Sequence, residues 1–171
     1  MLLEVHAQQI ASLAHAICGQ SRKYTNAPYI DHPRAVANLV RSVPHTPEML
    51  AASWVHDTVE DTFITVADIR RMLGPDVATL VEELTDVSSP TDGNRAARKA
   101  IDRAHAAAAS PPAKTIRLAD MIDNVETIAV RDPVFAKTYI PEKAALLEVL
   151  REGDPTLYAR ASDLIALHYR R

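Results

Sequence analysis

Three separated stretches of the 171-residue sequence carry side chains able to do chemistry: Tyr29-Ile30-Asp31-His32-Pro33, His56-Asp57-Thr58-Val59-Glu60-Asp61 and Leu118-Ala119-Asp120-Met121-Ile122-Asp123-Asn124. In the second, a helical turn of about 3.6 residues sets neighbours about 100° apart, so His56 and Asp57 can splay around one ion and offer it a nitrogen and an oxygen. Glu60 lies at i+4 from His56 and Asp61 at i+4 from Asp57, a spacing that keeps each pair on a shared face. Acidic groups that close repel one another, and a cation is their natural counterweight. In the third stretch Asp120, Asn124 and Thr127 fall at i, i+4 and i+7 in one helical stripe, while Leu118 and Ile122 face elsewhere. A carboxylate in the apolar run that starts at Ile116 is expensive to bury unpaired, and metal ligation removes that cost. Plainer readings stand beside these. His-Asp pairs are common, His32 can cap the helix that follows it, and Asp120 can pair with Arg117 or Lys114 on the surface.

The elements that must position these groups read as helices. Thr46-Pro47, Ser110-Pro111, Asp132-Pro133 and Asp154-Pro155 each set a proline one residue after a polar cap, where its missing N–H costs nothing. Thr65-Val66-Ala67-Asp68 resembles a capping box with Asp in place of Glu. Gly74 and Gly153 fall where helices end. Apolar spacing predicts helices over 3–18, 33–42, 47–60, 66–73, 76–84, 93–109, 112–130, 134–151 and 155–169. The first should bury Ile10, Leu13, Ala14 and Ile17, and Pro141 should break or kink the eighth. Ser88 to Gly93 is the most loop-like segment, without the character of a domain boundary. The expected fold is all-α, a single helical bundle over residues 1–171.

Bulk properties narrow the function. A net charge of −3 argues against a general nucleic-acid binder, so any anionic ligand must meet a local basic cluster. The single cysteine, Cys18, leaves no intrachain disulfide and is read as small packing; Trp54 is read as core. No apolar run approaches the roughly 20 residues that span a bilayer, and the first residues lack the pattern of a signal peptide. A cytoplasmic protein without a membrane partner is expected. His6, His15, His45, His105 and His168 match no ligand pattern.

Five ordered blocks resemble the hydrolase domain of the RelA/SpoT type within the HD superfamily, and in size the small alarmone hydrolases. They are Ala14-His15 through Arg22-Lys23, Pro28 through Pro33 with Val36-Ala37, Ala51 through Thr62, Leu80 through Thr85, and Ile116 through Asp120 with Asn124 and Thr127. The resemblance covers roughly residues 10 to 130. It implies one divalent metal, usually Mn²⁺, on His32, His56, Asp57 and Asp120. It further implies Glu60 and Asp61 as the catalytic pair beside the attacking water, Arg22 and Lys23 in the nucleotide pocket, and Asn124 and Thr127 against the nucleoside. The implied reaction removes the 3′-pyrophosphate from ppGpp or pppGpp, releasing GDP or GTP and pyrophosphate.

The residue chemistry agrees with such a site without choosing the metal, because two imidazoles and two carboxylates also suit Fe²⁺, Co²⁺ or Zn²⁺. Arg22, Lys23, Arg95, Arg98 and Lys99 are candidates to hold the departing anion, the last three being equally readable as a solvated helix face. The sequence departs from the family pattern at Met121, Asp123 and Glu126, where neutral or acidic residues stand near an expected polyphosphate pocket. Two alternatives therefore stay open: an HD phosphohydrolase for another nucleotide or phosphorylated cofactor, and a non-catalytic nucleotide-sensing module. The expected partner is a small nucleotide, and a homo-oligomer is left open.

Overall fold

The computed structural model describes residues 2–170, whose regular structure is helical apart from one isolated bridge between Ser21 and Pro28. The chain divides between Thr85 and Asp86 into two compact units. The first contains α1 (Leu2–Ile17), α2 (Asp31–Arg41), α3 (Pro47–Val55), α4 (Thr58–Asp61), α5 (Val66–Leu73) and α6 (Pro75–Leu84). The second contains a 3-10 turn (Pro90–Asp92), α7 (Arg95–Ala108), α8 (Pro111–Arg131), α9 (Pro133–Leu147) and α10 (Pro155–Tyr169). The expected all-α class is the observed one.

The polar caps do the work their chemistry predicts. Thr46, Ser110, Asp132 and Asp154 each accept a backbone N–H from the first turn of the helix they precede. Thr65 and Asp68 form the reciprocal box, the Asp68 N–H donating to Thr65 Oγ1 at 3.2 Å and the Thr65 N–H to Asp68 Oδ2 at 3.1 Å.

Within the first unit α3 is the central element, packed by α1, α2 and α6. Every residue from Met49 to Val55 is buried, which fits a helix apolar on all sides. The face of α1 that meets it differs from expectation. Ala7, Ala11, Ala14 and His15 are buried, whereas Leu13 and Ile17 are 64% and 70% exposed. Small side chains let two helix backbones approach closely, so the alanine stripe and not the larger apolar one faces α3. Cys18 is exposed and does not pack, while Trp54 is core, as expected, with its indole N–H donating to Glu4 Oε1 at 3.1 Å.

The helix expected over 47–60 is two helices. Its hydrogen-bond ladder stops at Val55, and His56 and Asp57 lie in the connection. Side chains take the carbonyls that a continuing helix would have used. Thr58 Oγ1 donates to the Val55 carbonyl at 2.7 Å, and His56 Nδ1 lies 2.8 Å from the Ser53 carbonyl.

In the second unit α8 is central, packed by α9 and α10. Ile116, Leu118, Ala119, Met121 and Ile122 are fully buried along it. Gly153 is not a helix C-cap. It lies against the α8 main chain, where an added Cβ would stand 2.7 Å from Leu118 Cδ1 and 3.1 Å from the Lys114 carbonyl carbon. Helix α9 continues through Pro141 without ending. The proline forfeits one backbone hydrogen bond, and packing on α8 and α10 keeps the helix intact. No helix of the described residues is long and apolar enough to cross a membrane.

Candidate metal centre

The break between α3 and α4 builds the centre. His56 and Asp57 project from the connection, and His32 projects from the first turn of α2, which packs on α3. One ligand atom from each of His32, His56 and Asp57 lies within 4.8 Å of the others. Asp57 Oδ1 is 3.1 Å from His56 Nε2, and Asp57 Oδ2 is 3.4 Å from His32 Nε2. Both histidines are buried and their rings meet edge to face with centroids 5.2 Å apart.

The donor chemistry fits a divalent ion. His56 Nδ1–H donates to the Ser53 carbonyl, which leaves Nε2, 3.1 Å from Asp57 Oδ1, as the ring nitrogen that faces the cluster. A main-chain carbonyl behind a ligating imidazole fixes both tautomer and ring orientation in metal sites. No lysine or arginine pairs with Asp57 among the described residues. Burial pushes the Asp57 carboxyl up, but attraction from His56 and hydrogen bonds with His32 and His56 outweigh it and hold the group well below the usual carboxylate range. Asp57 is therefore ionised and ready to ligate.

A layer of support surrounds these three residues. Tyr29 donates its hydroxyl to Asp57 Oδ2 at 2.5 Å. Its ring lies edge-on to His32 at 5.9 Å and against His15 at 4.5 Å. His15 is buried, with Nδ1 hydrogen-bonded to Gln20 Oε1. The catalytic pair expected from sequence lies on α4 next to this layer, Glu60 and Asp61 both exposed. Partial desolvation and the nearby Asp57 charge raise the Asp61 carboxyl above its ordinary value, opposed by hydrogen bonds with Tyr29 and Gln20 and by the charge of His15. Two carboxylates four residues apart thus have environments that drive them in opposite directions.

The remaining expected residues are placed as follows. Arg22 and Lys23 lie in the loop between α1 and α2, where the Arg22 N–H donates to the Ala27 carbonyl at 2.8 Å and the Lys23 ammonium lies 4.9 Å from the Tyr24 ring centroid. Asp120, Asn124 and Thr127 follow one another along α8 of the second unit, and Asn124 Nδ2 donates to Asp120 Oδ1 at 2.6 Å. Of the two basic residues weighed as partners for Asp120, Lys114 is buried and bonds Glu152, and Arg117 is buried beside Asp86. Of the three departures from the family pattern, Met121 is core, and Glu126 is an exposed partner of Arg160 at 2.7 Å. Neither position presents an uncompensated charge to a ligand.

Sequence reasoning missed Gln20 and the role of His15, and gave Tyr29 no role of its own. The signal was present only as adjacency: His15 and Gln20 fall inside one family-like block, and Tyr29 stands three residues before His32.

The comparisons with known proteins point the same way. The profile of the family described as "HD domain" matches residues 7–146. The guanosine-3′,5′-bis(diphosphate) 3′-pyrophosphohydrolase of Drosophila melanogaster is 36% identical over 108 residues, covering 62% of this chain and 59% of its own length. The enzyme of the same name from Aquifex aeolicus is 32% identical over 128 residues, covering 73% of this chain but only 18% of its own length. A solved structure described as a metazoan orthologue of SpoT that hydrolyses ppGpp superposes with a TM-score of 0.86 at 27% identity, over 98% of this chain and 96% of that one.

Proposed function

This chain belongs to the HD-domain family, and we propose that it is a metal-dependent hydrolase that removes the 3′-pyrophosphate from guanosine alarmones. The observation that carries the reading is the His32, His56 and Asp57 cluster, with its donor atoms within 4.8 Å and the His56 tautomer tied to the Ser53 carbonyl. The likeness to the metazoan ppGpp hydrolase across nearly all of both chains supports the choice of substrate. Mn²⁺ is the proposed ion, and Asp120 is carried forward as a fourth ligand on the sequence resemblance.

A bound divalent cation supplies Lewis-acid activation of water and neutralises charge on the attacked phosphate. The chain's own residues do the rest. His32, His56 and Asp57 fix the ion, and Tyr29 orients the Asp57 carboxylate that faces it. Glu60 or Asp61 accepts the proton of the attacking water as its oxygen bonds to the phosphorus on the ribose 3′-oxygen. The raised carboxyl of Asp61 suits it to hold that proton near neutral pH better than an ordinary aspartate, and then to return it to the departing 3′-oxygen. Arg22 and Lys23 hold the nucleotide, and Asn124 and Thr127 contact the nucleoside.

The test is turnover of ppGpp by the full chain with Mn²⁺, products identified by chromatography. GDP and pyrophosphate should appear, and chelator should abolish them. Glu60→Gln should keep the metal and lower kcat by about 10²- to 10⁴-fold, the usual contribution of a general base. A metal-loaded, folded protein that leaves ppGpp intact overturns the alarmone assignment.

A further inference from the structure

Helix α1 ends in a turn that Gly19 makes possible. Its φ of 64° lies in the left-handed region, which glycine adopts without steric cost. The Gly19 N–H donates to the Ala16 carbonyl at 3.0 Å and the Gln20 N–H to the His15 carbonyl at 3.0 Å, the paired bonds of a Schellman cap. The chain is thereby folded back on the last turn of α1, and Gln20 is returned to His15. The two residues are joined a second time through their side chains, His15 Nδ1 with Gln20 Oε1.

The direction of that second bond follows from what lies beyond it. Gln20 also hydrogen-bonds the Asp61 carboxyl on α4. An ionised carboxylate only accepts, so Gln20 must offer it the amide N–H₂. That turns Oε1 to His15. An amide oxygen also only accepts, so the proton must be on Nδ1. The neutral Nδ1–H tautomer and the doubly protonated ring both carry it there, and the bond is made in either state. His15 is 1% exposed and packs against the Tyr29 ring with centroids 4.5 Å apart, and its Nε2 has no hydrogen-bond partner among the described residues. A buried polar atom left unpaired is costly, and an apolar side chain of similar volume would strand none. The imidazole is therefore accounted for by what Nδ1 does and not by packing alone.

We propose that His15 is a positioning residue for Asp61, acting through Gln20: it holds the carboxamide in one of its two flips, and the N–H₂ so directed fixes the Asp61 carboxylate beside the metal centre. Without His15 the amide could present its oxygen to Asp61 as readily as its nitrogen, and two acceptors repel. The catalytic consequence rests on the hydrolase reading, in which Asp61 handles the proton of the attacking water. The contact itself does not, so the two are tested separately.

The contact is measured on the metal-free full chain by nitrogen-correlated NMR. The His15 ring should carry its proton on Nδ1, and the Gln20 side-chain amide signals should move in both Asp61→Asn and His15→Leu. An Nε2–H tautomer, or Gln20 signals indifferent to both variants, overturns the proposal whatever the protein hydrolyses. The consequence is measured as ppGpp turnover with Mn²⁺. His15→Leu should lower kcat by about 10- to 100-fold, the scale on which supporting partners act, with KM and Mn²⁺ affinity unchanged. His15→Asn should recover most of the loss, because its side-chain N–H stands where Nδ1–H stood. Gln20→Glu, on a half-buried side chain, keeps an acceptor for His15 but offers Asp61 no N–H, and should lose as much as His15→Leu. With Asp61→Asn already in place, His15→Leu should cost nothing further. Thermal melts confirm that each variant is folded. His15→Asn as slow as His15→Leu, or an equal loss with Asp61 already replaced, overturns the proposal, since the ring would then act by packing. A wild type that leaves ppGpp intact while the NMR contact is present keeps the positioning of Asp61 and removes only the substrate assignment.

Discussion

The metal centre of the first unit and the cavity that α7 and α9 line in the second solve the same electrostatic problem in opposite senses. Around Asp57 the neighbours are imidazoles and a phenol, and no lysine or arginine answers its charge among the described residues. In the cavity nearly every carboxylate is matched by a basic side chain, and the basic side chains outnumber them. The first therefore calls for a cation from outside, whereas the second answers its acids with its own side chains. The difference also appears in rigidity. Buried rings locked to a main-chain carbonyl hold the centre, whereas half-exposed ion pairs that can exchange partners hold the cavity. A site built to retain an ion needs preorganised donors.

Three substitutions press on that contrast. The largest effect is expected from His56→Ala. It should abolish metal retention, measured by elemental analysis after gel filtration, and cut ppGpp turnover by at least about 10³-fold, in line with loss of the ion's activation of water. Normal turnover by this variant would mean that the first-unit cluster is not the reactive centre.

A smaller effect is expected of Tyr29→Phe, which keeps the ring against His15 and His32 but removes the hydrogen bond to Asp57. Supporting partners of metal ligands are typically worth about 10- to 100-fold in affinity, and that loss should appear in competition with a chelating dye. Unchanged affinity would show that the packing of Asp57, not the phenol, orients it.

The smallest effect is one of stability, in the second unit. Hydrogen bonds from Ser88 and the Lys99 charge together outweigh the upward push of burial and hold the Asp102 carboxyl below its ordinary value. With the folded pKa depressed, the unfolded chain binds the proton first as pH falls. The stabilisation is therefore complete above the ordinary aspartate range, near pH 4, and is lost as pH drops through the folded value. Asp102→Asn should cost about 1 kcal/mol at pH 7, the scale of a side-chain hydrogen bond. Urea melts should show the gap from wild type narrowing towards pH 3. A gap that persists there would mean packing and not charge sets the cost.

What could be read from the sequence follows from how local each signal is. Caps such as Thr46-Pro47 and Asp154-Pro155 act within a few residues, and each was legible in advance. The residues of the His56-Asp57 and His32-Pro33 patterns do come together in the fold, and their identity and order were readable from a linear string. The break at Val55 did not. It depends on Thr58 and His56 side chains taking backbone carbonyls, which competes with an apolar pattern favouring one longer helix. The buried face of α1 was misjudged because hydrophobicity favours Leu13 and Ile17, while the closeness of α3 favours alanine. The pairing of Arg95 with Glu142, 47 residues apart in the chain, has no local signature at all.

One consequence follows from the bond between His56 and Ser53. If His56 ligates the ion as proposed, a ligand is fastened to the main chain of a helix buried on all sides, and the chain cannot unfold around the metal and keep it. Ion concentration and conformational stability are then thermodynamically linked. At a free concentration a hundred times the Kd, occupancy adds about 2.7 kcal/mol to the folded state. On that reading the same polypeptide is a more durable object in metal-rich surroundings than in metal-poor ones, and its lifetime against proteases becomes a readout of metal supply.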